Sequence, residues 1–571
     1  MTRFQPIYDI AELCARKGLN QAVLCPGSRC APLTLAFARH PFITTRTFSD
    51  ERSAAFIALG IAQYQRIPTI LLCTSGSAAY NFAPAVAEAF FSETPLIVFT
   101  ADRPTEWVAQ HDGQTIYQTD IFGKHVKRSF QLPQEYEHPD NQWAINRMVN
   151  EALSLATQEP RGPVHVNLPF REPLYPNKGE EISFSTSVRT IQDLSTDFPL
   201  TDAQKKTLGT WQDYNRILIV GGQSEPSMRL IDSLTQLQGK SVPVVGDIIS
   251  NLHGIPSAIR HHDGFLGQST EQVKRSLQPD LLITFGQSVI SKNLKTFLRS
   301  FAPKAHWHIQ PAGRLADTYK SITHVFNTTP DEFLSTLNTI DKASSKEQIE
   351  YLARWAEQEG KAEKTLEDFF AQNNVGEFAL VKTAMASLPN TAHLHLANSM
   401  SVRYANFIGL TSAQHSIRVH VNRGTSGIDG CTSTSVGHAL INTGQQHVLI
   451  TGDLAFFYDR NAFWHNYALP NLKVIVLNNH GGVIFKMIDG PGSMPEADDF
   501  FVTQQKLNAR RLCEEFGFEY IHASSGAMQA SVDALMTNSG KTKVLEIETS
   551  TEECQKVFEK LKQKIKQRYE A

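Results

Sequence analysis

The chain has 571 residues, 41% hydrophobic and 19% charged, with a formal charge of −3, a balance that excludes disorder and the basic excess that general nucleic-acid binding needs; roughly three or four domains fit the length. The cysteines, Cys14, Cys25, Cys30, Cys73, Cys431, Cys513 and Cys554, are scattered and never paired as C-x-x-C, so they read as reduced thiols rather than a disulfide framework or a zinc site. No apolar run approaches the ~18 residues of a membrane span and MTRFQPIYDIAEL lacks the apolar core of a secretory signal, so a cytoplasmic protein is expected, in which local cations must bind any anionic substrate.

Residues 20–170 alternate short β-rich runs with helical patterns: QAVLCPGS, TFSDERSAAFIALGIAQ, PTILLCTSGSAAYNFAPAVAEAF, PLIVFTADRP and GPVHVNLP. Strands that end in Gly, Ser, Asp or Pro and run into amphipathic helices are the pattern of βαβ units and a parallel sheet. In such sheets ligands sit at the carboxyl ends of the strands, where the loops PGSR, SDE, TSGS and TADRP fall.

The polar segment 177–204 reads as a linker. A second αβ block follows, with strands RILIVGGQ, SVPVVGD, DLLITFGQ and KAHWHIQPAG; its Gly-Gly invites a dinucleotide reading, but GGQSEP lacks G-x-G-x-x-G. Helix-forming sequence from about Asp341 to Phe370 leads to a third block with strands HLHLANS, SIRVHVNRG, HVLITGD, LKVIVLNN and KTKVLEIET. The expected fold is α/β, with three doubly wound parallel-sheet domains over residues 1–180, 181–345 and 346–571. The basic amphipathic ending, with Phe558, Leu561 and Ile565 on one face, reads as a solvated surface helix rather than a membrane anchor. His393 and His395, like His306 and His308, alternate on strands and read as strand residues rather than ligands, and His261 and His262 receive no role.

In the third block the run VIVLNNHGGVIF looks like a buried strand that stops at amides, a histidine and glycines. The strand ending ITGD precedes VIVLNN by just over twenty residues, room for a crossover helix. Asp453 and Asn479 are then expected to face each other across one sheet edge. A carboxylate oxygen, an amide oxygen and the unobstructed carbonyl of Gly481 are hard ligands of the kind Mg²⁺ accepts beside phosphate oxygens and water.

This pairing resembles the diphosphate-binding motif of thiamine-diphosphate enzymes, Gly-Asp-Gly followed by Asn-Asn, with Leu454 in place of the last glycine. The resemblance implies thiamine diphosphate held with Mg²⁺ or Mn²⁺, a pyrimidine-binding first block, a central block and a diphosphate-binding last block. It makes Glu51, in FSDERSAAF, the carboxylate that hydrogen-bonds the cofactor's N1′ and favours the imino tautomer that removes the C2 proton. The cofactor would lie between blocks of different chains in a homo-oligomer, a dimer or dimer of dimers.

The stretches LCPGSRCAPLTLAF, SDERSAAFIALG, TSGSAAYNFAPAVAEAF, TADRP, VNRGTSGIDGCTSTSVG, GDLAFFYDRNAF and NNHGGVIF closely resemble one branch, the 2-succinyl-5-enolpyruvyl-6-hydroxy-3-cyclohexene-1-carboxylate synthases of menaquinone biosynthesis, where GDL is habitual. That likeness implies decarboxylation of 2-oxoglutarate and addition of the succinyl carbanion equivalent to isochorismate. Dianionic substrates call for guanidinium groups: Arg29, Arg103, Arg403 and Arg423 occupy matching positions, with Lys292 a further match. Ile428, beside Gly427, corresponds to the residue that bends the cofactor, a proximity effect. Gln114 and the apolar trio Ile484, Phe485 and Ile488 match residues flanking the intermediate and the isochorismate ring. Ser28 and Ser399 are candidate hydrogen-bond donors, and Gly113 departs from the Asn or Pro expected before that glutamine. Two other readings stand beside this one: an acetohydroxyacid-synthase-like carboligase or decarboxylase, and a non-catalytic relative. The arginine set opposes the first; Glu51 with Asp453 and Asn479 opposes the second.

Overall fold

The computed structural model describes residues 3–194, 198–488, 490–524 and 526–570; within the linker, residues 195–197 lie outside the described residues. Three sheets organise the chain, and their strands pair in parallel. In spatial order the first holds Thr44–Thr47, Gln21–Leu24, Thr69–Cys73, Leu96–Asp102, Val164–Pro169 and Ser129–Gln131. The second runs His324–Phe326, Ala305–Ile309, Leu281–Phe285, Ile217–Gly221, Val244–Gly246. The third runs Arg418–His420, His393–Leu396, His447–Gly452, Leu472–Asn478, Lys543–Glu548, Glu519–His522. Central strands such as Leu96–Asp102 and Leu472–Asn478 are buried along their whole length, as continuous apolar runs covered on both faces require. The three-sheet α/β architecture is thus the one expected.

The chain divides into two compact units: the first sheet with residues 422–444 and 455–472, and the second and third sheets together. In the first unit the helix Cys431–Ile441 lies backbone to backbone on the helix Glu51–Gln65. A Cβ at Gly60 would meet the Thr434 carbonyl oxygen at 2.1 Å, and one at Gly437 the Ile57 carbonyl oxygen at 2.2 Å, so only glycine permits this approach. Asp459 ties the start of the same helix, accepting from Ser433 N at 2.6 Å and Ser433 Oγ at 2.7 Å.

Between Pro169 and Asp202 the described residues form no regular element, yet the segment is anchored: Arg16 donates to the carbonyls of Val188 and Thr186 at 2.9 and 2.8 Å. In the second unit, Gly221 and Gly222 serve packing, since a Cβ at Gly222 would meet the Gln287 carbonyl at 2.2 Å. Helix Lys346–Gln372 fills the helix-forming stretch. The closing helix Thr551–Glu570 buries Phe558, Leu561 and Ile565 in the core of the third sheet, so its apolar face packs inward, while Lys556, Lys560 and Lys566 are exposed and the half-buried Lys562 and Lys564 donate to the Met487 carbonyl and Gln372. No helix among the described residues is long and apolar enough to cross a membrane.

Candidate active site

In the first unit the loops after four neighbouring strands gather the predicted residues at the carboxyl edge of the sheet. Glu51 opens its helix because Asp50 caps it, Oδ1 accepting from Ser53 N at 3.0 Å, while Asp50 Oδ2 accepts from Asn461 Nδ2 at 2.7 Å. A carboxylate in the first turn suits the helix dipole. Half-buried, Glu51 has one oxygen, Oε2, accepting from Asn81 Nδ2 at 3.2 Å.

Arg29 is only 6% exposed, and donates to the Phe170 carbonyl at 2.9 Å and to Glu172 Oε1 at 3.2 Å. Burial, and next the nearby Arg103 guanidinium, lower its pKa. Arg103 is itself tethered to Asp112 at 3.3 Å and to the Gly113 carbonyl at 3.0 Å. Glu172 and Asp112, each paired with one of the two guanidiniums, offset part of the repulsion between them. Ser28 is exposed, with Oγ 3.1 Å from Tyr175 Oη. Gln114 is exposed at φ 58° beside Gly76, and a side chain at Gly113 would meet open space.

The loop of Arg423, Gly427 and Ile428 belongs to this unit. Arg423, Gly427 and Ile428 are half-buried, and Glu88 holds the loop from below: Gly424 N donates to Oε1 at 2.8 Å, Thr425 N and Oγ1 to Oε2 at 2.6 and 2.7 Å.

In the second unit the strands His447–Gly452 and Leu472–Asn478 are neighbours, which puts Asp453 and Asn479 at adjacent strand tips. Asp453 starts a helix and is 2% exposed; burial pushes its carboxyl up to about 6. Gln505 Nε2 bridges Asp453 Oδ2 at 2.7 Å and Asn478 Oδ1 at 3.0 Å. Asn479 is 5% exposed, and its Nδ2 donates to Glu377 Oε1 at 2.9 Å. That bond turns Asn479 Oδ1 away as a buried acceptor without a hydrogen-bond partner, an arrangement that costs stability until something fills it. Glu377 is buried too; desolvation, followed by the Asp453 charge, pushes it up to about 7. Two carboxyls and an orphaned amide oxygen in one buried cluster are a donor set that fits a hard divalent cation.

Ser399 sits at φ 75° after the strand His393–Leu396, with its carbonyl accepting from Arg403 at 2.6 Å. Ile484 and Phe485 begin a short helix after Gly482 and are half-buried; Ile488 is exposed. Lys292 lies apart from these, exposed at the first turn of a helix beside the second sheet. His393, His395, His306 and His308 lie on strands as read, and His262 makes a buried pair with Asp247 at 3.0 Å. Sequence reasoning gave no role to Glu88, although it lies in the quoted stretch TSGSAAYNFAPAVAEAF, and missed Glu377 and Gln505, which stand in a helix and a loop without any motif.

Parallel sheets carrying a capped acidic helix start on one edge and a buried carboxylate–amide pair at strand tips on another define a thiamine-diphosphate enzyme. The family model for the thiamine pyrophosphate enzyme N-terminal TPP binding domain matches residues 8–121, and that for the middle domain of thiamine pyrophosphate enzymes matches residues 195–396. Curated relatives named 2-succinyl-5-enolpyruvyl-6-hydroxy-3-cyclohexene-1-carboxylate synthase include one from Cytophaga hutchinsonii, 46% identical over 99% of this chain and 100% of the relative. One from Flavobacterium psychrophilum is 37% identical over 95% and 96% of the two chains, and one from Desulfotalea psychrophila is 36% identical over 90% and 93%. This chain belongs to that synthase family.

Proposed function

We propose that the chain is a thiamine-diphosphate-dependent transferase of menaquinone biosynthesis. It decarboxylates 2-oxoglutarate and joins the remaining succinyl unit to isochorismate, giving 2-succinyl-5-enolpyruvyl-6-hydroxy-3-cyclohexene-1-carboxylate and CO₂. The observation that carries this reading is 46% identity to a synthase of that name along essentially the whole of both chains. The bound cofactor supplies the electron sink for loss of CO₂.

The chain's residues supply binding, orientation and charge. Asp453 and Asn479, through their side-chain oxygens, and Gly481, through its carbonyl, are the donors for Mg²⁺ or Mn²⁺; the unpartnered Asn479 Oδ1 supports this, whereas the Gly481 carbonyl is not unobstructed as expected, since it accepts from Val483 N at 3.1 Å. Glu51 holds the proton at the cofactor's ring nitrogen, and Ile428 with Gly427 supports its rings. Arg29, Arg103, Arg403, Arg423 and Lys292 bind substrate carboxylates; the placement of Arg29 and Arg103 in loops at the carboxyl edge of the first sheet supports that role for those two. Ser28, Ser399 and Gln114 hydrogen-bond substrate, while Ile484, Phe485 and Ile488 form an apolar wall that excludes water. In this reading residues 1–180, 181–345 and 346–571 are the pyrimidine-binding, central and diphosphate-binding domains. A homodimer or dimer of dimers brings the halves of each site together from two chains.

A coupled assay with thiamine diphosphate, Mg²⁺, 2-oxoglutarate and isochorismate, omitting each in turn, tests this. Consumption of both substrates with CO₂ release only in the complete mixture is expected. Acetolactate formation from pyruvate without loss of isochorismate would overturn it.

A further inference from the structure

Glu88 is a buried acid inside the stretch TSGSAAYNFAPAVAEAF, to which the sequence analysis gave no role. It lies on the helix Ala83–Phe91, is 1% exposed, and pairs with no cation among the described residues. Burying a carboxylate without a counter-charge is costly unless hydrogen bonds satisfy it. Here all three of its bonds go to one short loop: Gly424 N at 2.8 Å, Thr425 N at 2.6 Å and Thr425 Oγ1 at 2.7 Å. Charge-assisted bonds to backbone N–H groups are among the stronger ones, and they fix the peptide units directly after Arg423.

The fit is tight as well as polar. A Cβ at position 424 would stand 2.6 Å from the Glu88 carbonyl oxygen and 3.0 Å from its Oε1, so the loop can be drawn this close only because residue 424 is glycine. Beyond the tether the backbone turns at Ser426, φ 62°, before Gly427 and Ile428. A guanidinium on a free loop would lose side-chain and backbone entropy each time it gripped a carboxylate. On a pinned loop that ordering is complete before substrate arrives.

We propose that Glu88 is a positioning residue: its buried carboxylate fixes the Gly424–Thr425 backbone and thereby pre-aims Arg423 for a substrate carboxylate. The proposal rests on the reading of Arg423 as a substrate-binding residue. It requires that Glu88 act through Arg423 rather than on substrate itself.

The test is a double-mutant cycle in the full-length holoenzyme with Arg423→Ala, Glu88→Gln and the pair, scored on kcat and on KM for 2-oxoglutarate and isochorismate. Glu88→Gln places an amide N–H₂ against a backbone donor. It is expected to raise one substrate KM about tenfold, in line with the loss of a charge-assisted bond, and to move the same KM that Arg423→Ala moves. In the pair, the Glu88 substitution is expected to add little to Arg423→Ala, which is the sign of a shared path. Thr425→Val, which removes one of the three bonds, is expected to shift the same KM by a smaller factor, and it carries the test if the Glu88 variant fails to fold. Additive effects in the pair, or no change in that KM with Glu88→Gln and Thr425→Val, would overturn the proposal. An Arg423→Ala enzyme with both KM values unchanged would instead overturn the substrate role of Arg423.

Discussion

Around Glu51, Arg29 and Arg103 the side chains are held by polar partners: Asn81 for Glu51, Glu172 and the Phe170 carbonyl for Arg29, Asp112 and the Gly113 carbonyl for Arg103. Around Asp453, Asn479 and Glu377 the polar atoms are sealed from water instead, with Asn479 Oδ1 and Glu377 Oε2 lacking partners. The first arrangement fixes its side chains in place through hydrogen bonds and ion pairs. The second leaves buried polar atoms unsatisfied; if the proposed metal site is right, Mg²⁺ with thiamine diphosphate should stabilise the folded enzyme by mass action.

The contrast can be broken most sharply at Glu51. Replacing it with Gln is expected to slow exchange of the cofactor's C2 proton by about 10²–10⁴-fold, the range for a lost acid–base group, while diphosphate binding stays largely intact. Exchange measured by NMR at an undiminished rate would assign the task to another carboxylate. Next in size, Asp453→Ala or Asn479→Ala should weaken Mg²⁺-dependent cofactor binding about a hundredfold, with Gln505→Leu, one step removed, costing about tenfold; calorimetric titration reads both. Equal affinity in the Asp453 variant would remove that cluster from the metal site. Arg103→Ala, which relieves the repulsion on Arg29 but deletes one grip, should raise the KM of a dianionic substrate about tenfold and leave cofactor affinity alone.

The smallest effect asks whether burial, rather than membership of either unit, makes the difference. Asp459 belongs to the first unit but is sealed, and burial pushes its carboxyl up to about 7 despite the bonds from Ser433. The folded chain therefore keeps a proton that the unfolded chain releases above about pH 4. Stability should fall as pH rises from about 4 to about 7. Asp459→Asn cannot ionise, so the difference in Tm between variant and parent should favour the variant more at pH 8 than at pH 5. A difference independent of pH would show that Asp459 does not titrate in that window.

What the sequence made legible was whatever lies at a strand tip. The runs ITGD and VIVLNN announce both the strand and the polar residues that end it, because alternation of buried strand and loop is written locally. Glu377 donates no such signal: it stands 102 residues from Asn479 in the chain, inside an ordinary helix, and only the fold makes them neighbours. Gln505 is equally silent, and Glu88 reads as one more acid in an alanine-rich helix. The closing helix shows a different limit. Its apolar face was visible as a period of three or four, but the partner it packs on, the third sheet's core, is not written in its own residues.

The crossing of Gly60 and Gly437 places two carbonyl oxygens where side chains would otherwise stand. A contact of that kind has no interchangeable parts, since neither helix can compensate for a methyl group gained by the other. A saturation library at these two codons, selected for menaquinone-dependent growth, should return glycine at both and leave even alanine and serine unrepresented.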